Sequence, residues 1–292
     1  MVASYSIIGP DVSSYQNVNW SLVKTPFAFC KATEGSHTVD LSFNKNWKGI
    51  KSAGIKVRGA YHYGHLENDP VKDAVNLWKT IQGAGGVGPG DLLALDMEDT
   101  TAANAANIVN WCGKFLEEIK ILSGLPDSRI LIYTGQWWWG PRTNSSSKFS
   151  AHPLWVSSYP RLIMVGGWKN WAFHQFSDKY AFDGIGKCDA SLFNGTQEQL
   201  HSLAGIRKPV SDRIQPIKIH MIPGGKGPGV RDLQKVLKAN GFYHSEITNY
   251  YGLKTRRAVK EFHLKYPQFA SKPLNAIGPK GWRFLQKRIG RI

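Results

Sequence analysis

Asp96 and Glu98 stand one residue apart at the end of an apolar run, Leu92-Leu93-Ala94-Leu95-Asp96-Met97-Glu98-Asp99. The run is short, follows Gly88-Pro89-Gly90 and reads as a buried β-strand. Side chains alternate along a strand, so Asp96 and Glu98 share one face while Met97 and Asp99 take the other. Residues two apart are separated by roughly 7 Å along a strand, near enough for their carboxyls to lean together. Beside an apolar wall two such groups resist ionising together, and the pair divides into an acid and a base-like carboxylate. Glycosidic cleavage uses that division: a proton donor for the leaving oxygen and a carboxylate that steadies a cation-like transition state. A metal-ligand pair or a solvated strand end remains the plainer reading of Asp-x-Glu taken alone.

The elements that must position this pair repeat one theme through residue 200: short β-like runs, turn residues, then usually a helical stretch. Strands are expected at Tyr5–Ile8, Phe27–Lys31, Lys56–Tyr63, Leu92–Asp96, Ile130–Tyr133, Pro153–Ser157 and Trp171–Phe176, and helices around Leu41–Ala53, Pro70–Gln82, Thr101–Leu122 and Thr196–Leu203. Alternation of this kind implies a parallel α/β architecture, and seven or eight strands imply a barrel whose strand C-terminal ends build the site. Polar residues cluster at those ends: Lys31 to Glu34, Tyr61-His62-Tyr63, Asp96 to Glu98, Tyr133-Thr134 and Gln175, with Asp11 after the first strand.

Charge divides the chain. Residues 1–204 hold 18 Lys and Arg against 17 Asp and Glu, while residues 205–292 hold 19 against 4. The excess therefore belongs to a separate basic module suited to an anionic partner. Residues 205–228 are rich in Gly, Pro, Lys and Arg and read as a linker. Amphipathic helices follow at Val230–Asn240, Thr255–Tyr266 and near Lys280–Arg288. Cys30, Cys112 and Cys188 form neither a zinc spacing nor a disulfide framework. The first ten residues show no secretory signal, and no stretch approaches a membrane span.

Six ordered motifs then carry a resemblance: Asp11-Val12-Ser13-Ser14-Tyr15-Gln16, Lys31-Ala32-Thr33-Glu34-Gly35, Gly59-Ala60-Tyr61-His62-Tyr63, Leu95-Asp96-Met97-Glu98, Leu154-Trp155-Val156 and Cys188-Asp189-Ala190-Ser191-Leu192-Phe193. Over roughly residues 5–200 the chain resembles glycoside hydrolase family 25, the lysozymes of the Chalaropsis type. The resemblance implies an irregular TIM-like β/α barrel that cuts the β-1,4 bond between N-acetylmuramic acid and N-acetylglucosamine. It implies Glu98 as general acid, Asp96 holding the substrate's own attacking acetamido group, and Asp11 and Asp189 in the same acidic cluster, with no cofactor and no metal. Tyr63, Tyr133, Trp155, Gln175 and Glu34 are substrate-binding candidates by motif position. Asn17 stands where the family has glycine, His174 precedes Gln175 in place of tryptophan, and the Ser/Asn-rich stretch Pro141–His152 reads as a loop. Of Trp137-Trp138-Trp139, at least one must be scaffold, since three adjacent indoles cannot face one way.

The tail is similar to the type 1 peptidoglycan-binding module, through Gly229-Val230, Leu233-Gln234, Leu237, Gly241-Phe242, Tyr251-Gly252, Thr255, Ala258-Val259, Phe262 and Gly278. His263 and Trp282 depart from its pattern. The expected organisation is a catalytic domain at 1–204, a linker at 205–228 and a small all-helical domain at 229–292. The expected function is a monomeric lysozyme of the endolysin kind, made in a host cytoplasm and released through a holin-type lesion. Its partners would be peptidoglycan and anionic wall polymers, with neither nucleic acid nor stable membrane insertion. The rivals are a non-catalytic wall-binding protein and a glycosidase of chitin-like polymers.

Overall fold

The computed structural model describes residues 7–206, 223–270 and 276–288. Two compact units divide the chain, Met1–Arg207 and Lys208–Ile292. The first contains β1 (Ile8–Val12), β2 (Phe27–Glu34), β3 (Thr38–Val39), α1 (Phe43–Ser52), β4 (Val57–Tyr63), α2 (Pro70–Gly83), β5 (Asp91–Asp96), α3 (Ala105–Ser123), β6 (Ile130–Thr134), α4 (Gln136–Thr143), β7 (Leu154–Ser157), β8 (Phe173–Phe182), β9 (Gly186–Phe193) and α5 (Gln197–Leu203). The strands run in the order β1-β9-β8-β7-β6-β5-β4-β2, and β1 also pairs with β2, so eight strands close into a barrel. The two-residue β3 only flanks β2. Pairing is parallel from β1 through β2, β4, β5, β6 and β7 to β8, and antiparallel on both sides of β9.

Strand alternation sorts the side chains into two cores. Along β5, Leu92 and Ala94 join Phe27, Phe29, Val57, Leu131, Tyr133, Trp155 and Phe173 inside the barrel. Leu93, Leu95 and Met97 point outward into the layer under the helices, with Ile50, Leu77, Phe115 and Ile119. Asp96 thus continues the inward row that Leu92 and Ala94 begin. Gly59 belongs to the same inward set and leaves room for Phe29, whose ring atoms lie about 2 Å from where a Cβ on Gly59 would stand. The helices are set by local signals as well: Asp69 caps α2 by accepting from the Val71 amide, with Pro70 in the first turn, and Asn104 caps α3 through the Asn107 amide.

The structure departs from the sequence expectations in three places. The first strand is Ile8–Val12, displaced from Tyr5–Ile8, so Asp11 lies within the strand. The extended chain continues through Gly9-Pro10, where Phe27 packs so closely that a Cβ on Gly9 would have no room. The stretch after Gln175 forms a long hairpin, β8–β9, and puts Asp189 on a strand directly opposite Asp11. The tryptophan run is helical, and α4 takes in Pro141 through Thr143 from the expected loop. The three cysteines are buried and free.

The second unit contains α6 (Pro228–Ala239), α7 (Leu253–Lys265) and α8 (Pro279–Arg288). Val230, Leu233, Leu237, Phe242, Tyr251, Val259, Phe262, Trp282 and Leu285 make its core. Trp282 and His263, the two departures in sequence, are both buried there. Gln234 is fully buried and donates to Thr248, the Tyr250 carbonyl and Thr255 while accepting from the Thr248 amide at 2.6 Å. Residues 223–227, expected in the linker, belong to this unit: Gly224 and Gly227 bond to Tyr251 and Asn249, and Lys226 bridges to Tyr250. Gly205 and Ile206 in turn bond back to α5. The rest of the expected linker, 207–222, lies outside the described residues.

Candidate active site

Four carboxylates meet at the C-terminal end of the barrel. Asp11 comes from β1, Asp96 from the end of β5, Glu98 from the residues that follow it, and Asp189 from β9. The registers Glu34↔Tyr63, Tyr63↔Asp96 and Asp96↔Tyr133 set these residues side by side on neighbouring strands, and Asp11 faces Asp189.

Asp11 and Asp96 are 5% and 6% exposed, and each keeps one buried oxygen, Oδ2 and Oδ1 respectively, without a hydrogen-bond partner among the described residues. Buried carboxylates normally find donors, so this pair is unusual. Burial pushes the Asp96 carboxyl well above the ordinary range; the Glu98 charge adds to the rise and Lys31 opposes it. Burial raises Asp11 well above its usual value too, with the Asp189 charge next. Glu98 is raised first by burial and then by Asp189, again against Lys31, and Asp189 by burial and Asp178. A proton on Asp11 Oδ2 directed at Asp189 would relieve both the missing partner and the repulsion. Glu98 and Asp189 differ from Asp11 and Asp96 in being only partly buried, which leaves the Glu98 carboxyl open to a ligand.

The polar frame around the acids is ordered. Gln175 Nε2 donates to Asp11 Oδ1 at 2.9 Å, while Gln175 Oε1 accepts from the hydroxyls of Tyr133, at 2.7 Å, and Tyr159. Two phenol donors on one oxygen leave only the amide nitrogen for Asp11, so the orientation of Gln175 is fixed. Tyr63 is half-buried beside the pair, its hydroxyl pushed up to about 12 by burial and by the charges of Asp96 and Glu98. Glu34 spends one oxygen on Lys31 Nζ, at 2.5 Å, and the other on His65 Nε2, at 2.9 Å.

Trp155, a candidate for the cleft, lies beneath it instead. It is 2% exposed, stacks on Phe29 at 4.2 Å and donates its indole N–H to Ser191 at 2.8 Å, so no face is open to a ligand. An inward position on a central strand, with Phe29 across the barrel, accounts for the difference. Trp137 is the exposed member of its run, at 59%, whereas Trp138 and Trp139 are buried and bond to Asp99 and Ser146 through their indoles. Asp99 points away from the cluster and caps the local chain, accepting from the amides of Leu66 and Thr101.

A closed barrel with inward carboxylates at the strand ends matches known proteins in sequence and shape. The sequence profile of glycosyl hydrolases family 25 matches residues 10–185, and that of the peptidoglycan-binding domain matches residues 226–266. The chain belongs to glycosyl hydrolase family 25. Lysozyme M1 of Streptomyces globisporus is 30% identical over 221 residues, covering 67% of this chain and 70% of that protein. A crystal structure of a Streptomyces coelicolor lysozyme superposes with a TM-score of 0.62 at 28% identity, covering 70% of this chain and all of that one. A muramidase from Trichobolus zukalii gives 0.61 at 32% identity, over 68% of this chain and 98% of its own.

Within this family 25 barrel, sequence reasoning passed over Lys31, Tyr61 and Tyr159 as site residues. Lys31 follows Phe27 and Phe29 at the inward spacing of two, and Tyr61 follows Gly59 likewise, so alternation carried a signal for both. Tyr159 follows β7 in a loop, and its contact with Gln175 has no local signature.

Proposed function

We propose that the chain is a lysozyme that hydrolyses the β-1,4 bond between N-acetylmuramic acid and N-acetylglucosamine in peptidoglycan. Glu98 donates the proton to the leaving oxygen: it is raised and partly exposed directly beyond Asp96, whereas Asp189, also raised and partly exposed, lies against Asp11. Asp96, buried and short of a hydrogen-bond donor, accepts from the N–H of the 2-acetamido group and turns that group's oxygen onto the anomeric carbon. Asp11, fixed by Gln175, and Asp189 complete the anionic wall around the cation-like centre. The single observation that carries the reading is the buried, unpartnered oxygen of Asp96 beside a partly exposed acid. A binding-only role gives no account of carboxylates kept under such strain.

The helical unit supplies the wall contact. All its described Lys and Arg residues on α6, α7 and α8 face solvent apart from the helix cores, and none of them forms an ion pair among the described residues. Peptidoglycan and its anionic polymers are the partners we assign to it, and lysis from within a host is the setting in which such a pairing of units works.

Mass spectrometry of purified peptidoglycan digested with the wild type and with Glu98→Gln tests the proposal. Fragments ending in reducing N-acetylmuramic acid, from the wild type alone, are expected. Reducing N-acetylglucosamine would reassign the bond, and equal release by Glu98→Gln would remove Glu98 as the acid. Digestion of chitin in place of peptidoglycan would favour the rival substrate.

A further inference from the structure

The inward row of β2 ends in an irregularity. Phe27, Phe29 and Lys31 point into the barrel, and simple alternation would send Glu34 outward with Ala28, Cys30 and Ala32. The pairing of β2 with β4 instead slips between Lys31 and Thr33. Ala32 and Thr33 are both fully buried, and Thr33 bonds outward to His62 at 2.8 Å. The extra residue turns the strand, which is what a β-bulge does beside an active site. Glu34 is thereby brought to the side of Lys31, three residues away, at 2.5 Å.

Lys31 is consequently a cation placed among acids with its own direction fixed. Its ammonium lies 5.3 Å from the centre of the Tyr63 ring. From β4 it is faced by Tyr61, Tyr63 and, from the outer side, His62; from β5 and its extension by Asp96 and Glu98; from the following loop by His65 through Glu34; β1 brings Asp11 to the level of Phe29. Among the described residues, it is the cation whose charge opposes the rise of both Asp96 and Glu98.

We infer that Lys31 is a positioning residue for hydrolysis: held by Glu34 across the bulge and beside the Tyr63 ring, its ammonium is fixed as the counter-charge to the Asp96 and Glu98 carboxyls. This rests on the roles given to Asp96 and Glu98 above. Glu34 then serves the reaction through Lys31. With both its oxygens engaged, it prevents the ammonium from closing onto Asp96 and blocking the acetamido site. The device is directional, since Lys31 favours ionisation of the pair while the Glu34 charge disfavours that of Asp96.

The test is the pH dependence of kcat/KM on solubilised peptidoglycan, measured on full-length variants. Losing the cation in Lys31→Met raises the acidic limb, set by ionisation of Asp96, by about one pH unit. Losing the anion in Glu34→Gln lowers the same limb by a smaller amount. Lys31→Arg, which keeps the charge, restores the wild-type limb. Opposite shifts of Lys31→Met and Glu34→Gln support the inference, because a purely structural salt bridge would move both in one direction or neither. Limbs that stay at the wild-type position, or move together, overturn it. Should Lys31→Met not fold, Glu34→Gln and Lys31→Arg still decide: an unmoved limb in Glu34→Gln overturns the inference. The Glu98→Gln digestion is independent of this outcome. Its retention of activity would remove the reading of the site, whereas fixed limbs with an inactive Glu98→Gln would remove only the role of Lys31.

Discussion

The barrel treats its buried carboxylates in two ways. At the N-terminal end, Asp91 receives Arg58 Nε at 2.7 Å and Nη2 at 3.2 Å and also the Gly88 amide. Arg58 in turn lies 3.6 Å from the centre of the Trp47 ring and donates to the Trp47 carbonyl. In the outer layer, Asp73 takes Ser36 at 2.7 Å and His62 at 3.3 Å, and His62 completes its ring with Thr33. Burial lowers the His62 pKa, which suits a neutral ring donating on one nitrogen and accepting on the other. At the C-terminal end, Asp96 sits as deeply with an oxygen left over, while the second oxygen of Asp11 is turned to Asp189 across the β1–β9 pair. The lesson is that partners separate roles: a saturated buried acid holds the fold, and an unsaturated one is held ready for a ligand. Both kinds have the same composition and nearly the same burial.

Variants at each end break this comparison most sharply. Glu98→Gln should lose about 10²–10⁴-fold in turnover with its melting temperature unchanged, as read by a kinetic assay beside a thermal melt. At the other end, Arg58→Met leaves Asp91 buried and uncompensated and should cost about 3–5 kcal/mol of stability in denaturant titration, with kcat preserved in the folded fraction. The tryptophan run offers a smaller version of the contrast. Trp139→Ala should cost about 3–5 kcal/mol, while exposed Trp137→Ala should leave stability within about 0.5 kcal/mol and act only on polymer KM. Smallest is the effect of removing residues 208–292. Hydrolysis of short soluble glycans should persist, and retention on whole walls should fall most at low salt, where surface charge is least screened.

Much of the frame was legible in sequence because it depends on period. Runs such as Leu92–Asp96 and Ile130–Tyr133 are short, apolar and flanked by turn residues, which marks buried strands whose successive side chains take opposite faces. Helix α2 could be read from Asp69-Pro70 at its start. What escaped depended on pairing between distant segments. Nothing local marks Ser177–Phe182 as strand: residues 178–181 are exposed and the segment holds together through its partner β9. The Asp11–Asp189 pairing needs that same hairpin. The first strand continues through Gly9-Pro10, where Phe27 packs against Gly9. In the site, Asp96 and Glu98 were visible as a spaced pair, but the burial of Trp155 and the grip of Gln175 on Asp11 are consequences of closure. The bulge that turns Glu34 toward Lys31 shows only in the register of two strands.

The central claim is that the unpartnered carboxylates are kept for catalysis at a cost in stability. A raised pKa in the folded state means that the folded protein holds its protons longer than the unfolded chain. Stability from these groups is therefore fullest below the unfolded carboxylate value and is lost as pH rises toward the folded one. The most direct measurement is the thermal melting of the wild type and Asp96→Asn from about pH 4 to about pH 8. The account predicts that the inactive variant melts higher than the wild type, by an amount that grows as pH rises through this range. A variant that melts lower at every pH would contradict it, and would place Asp96 with Asp91 and Asp73 among the acids that hold the barrel together.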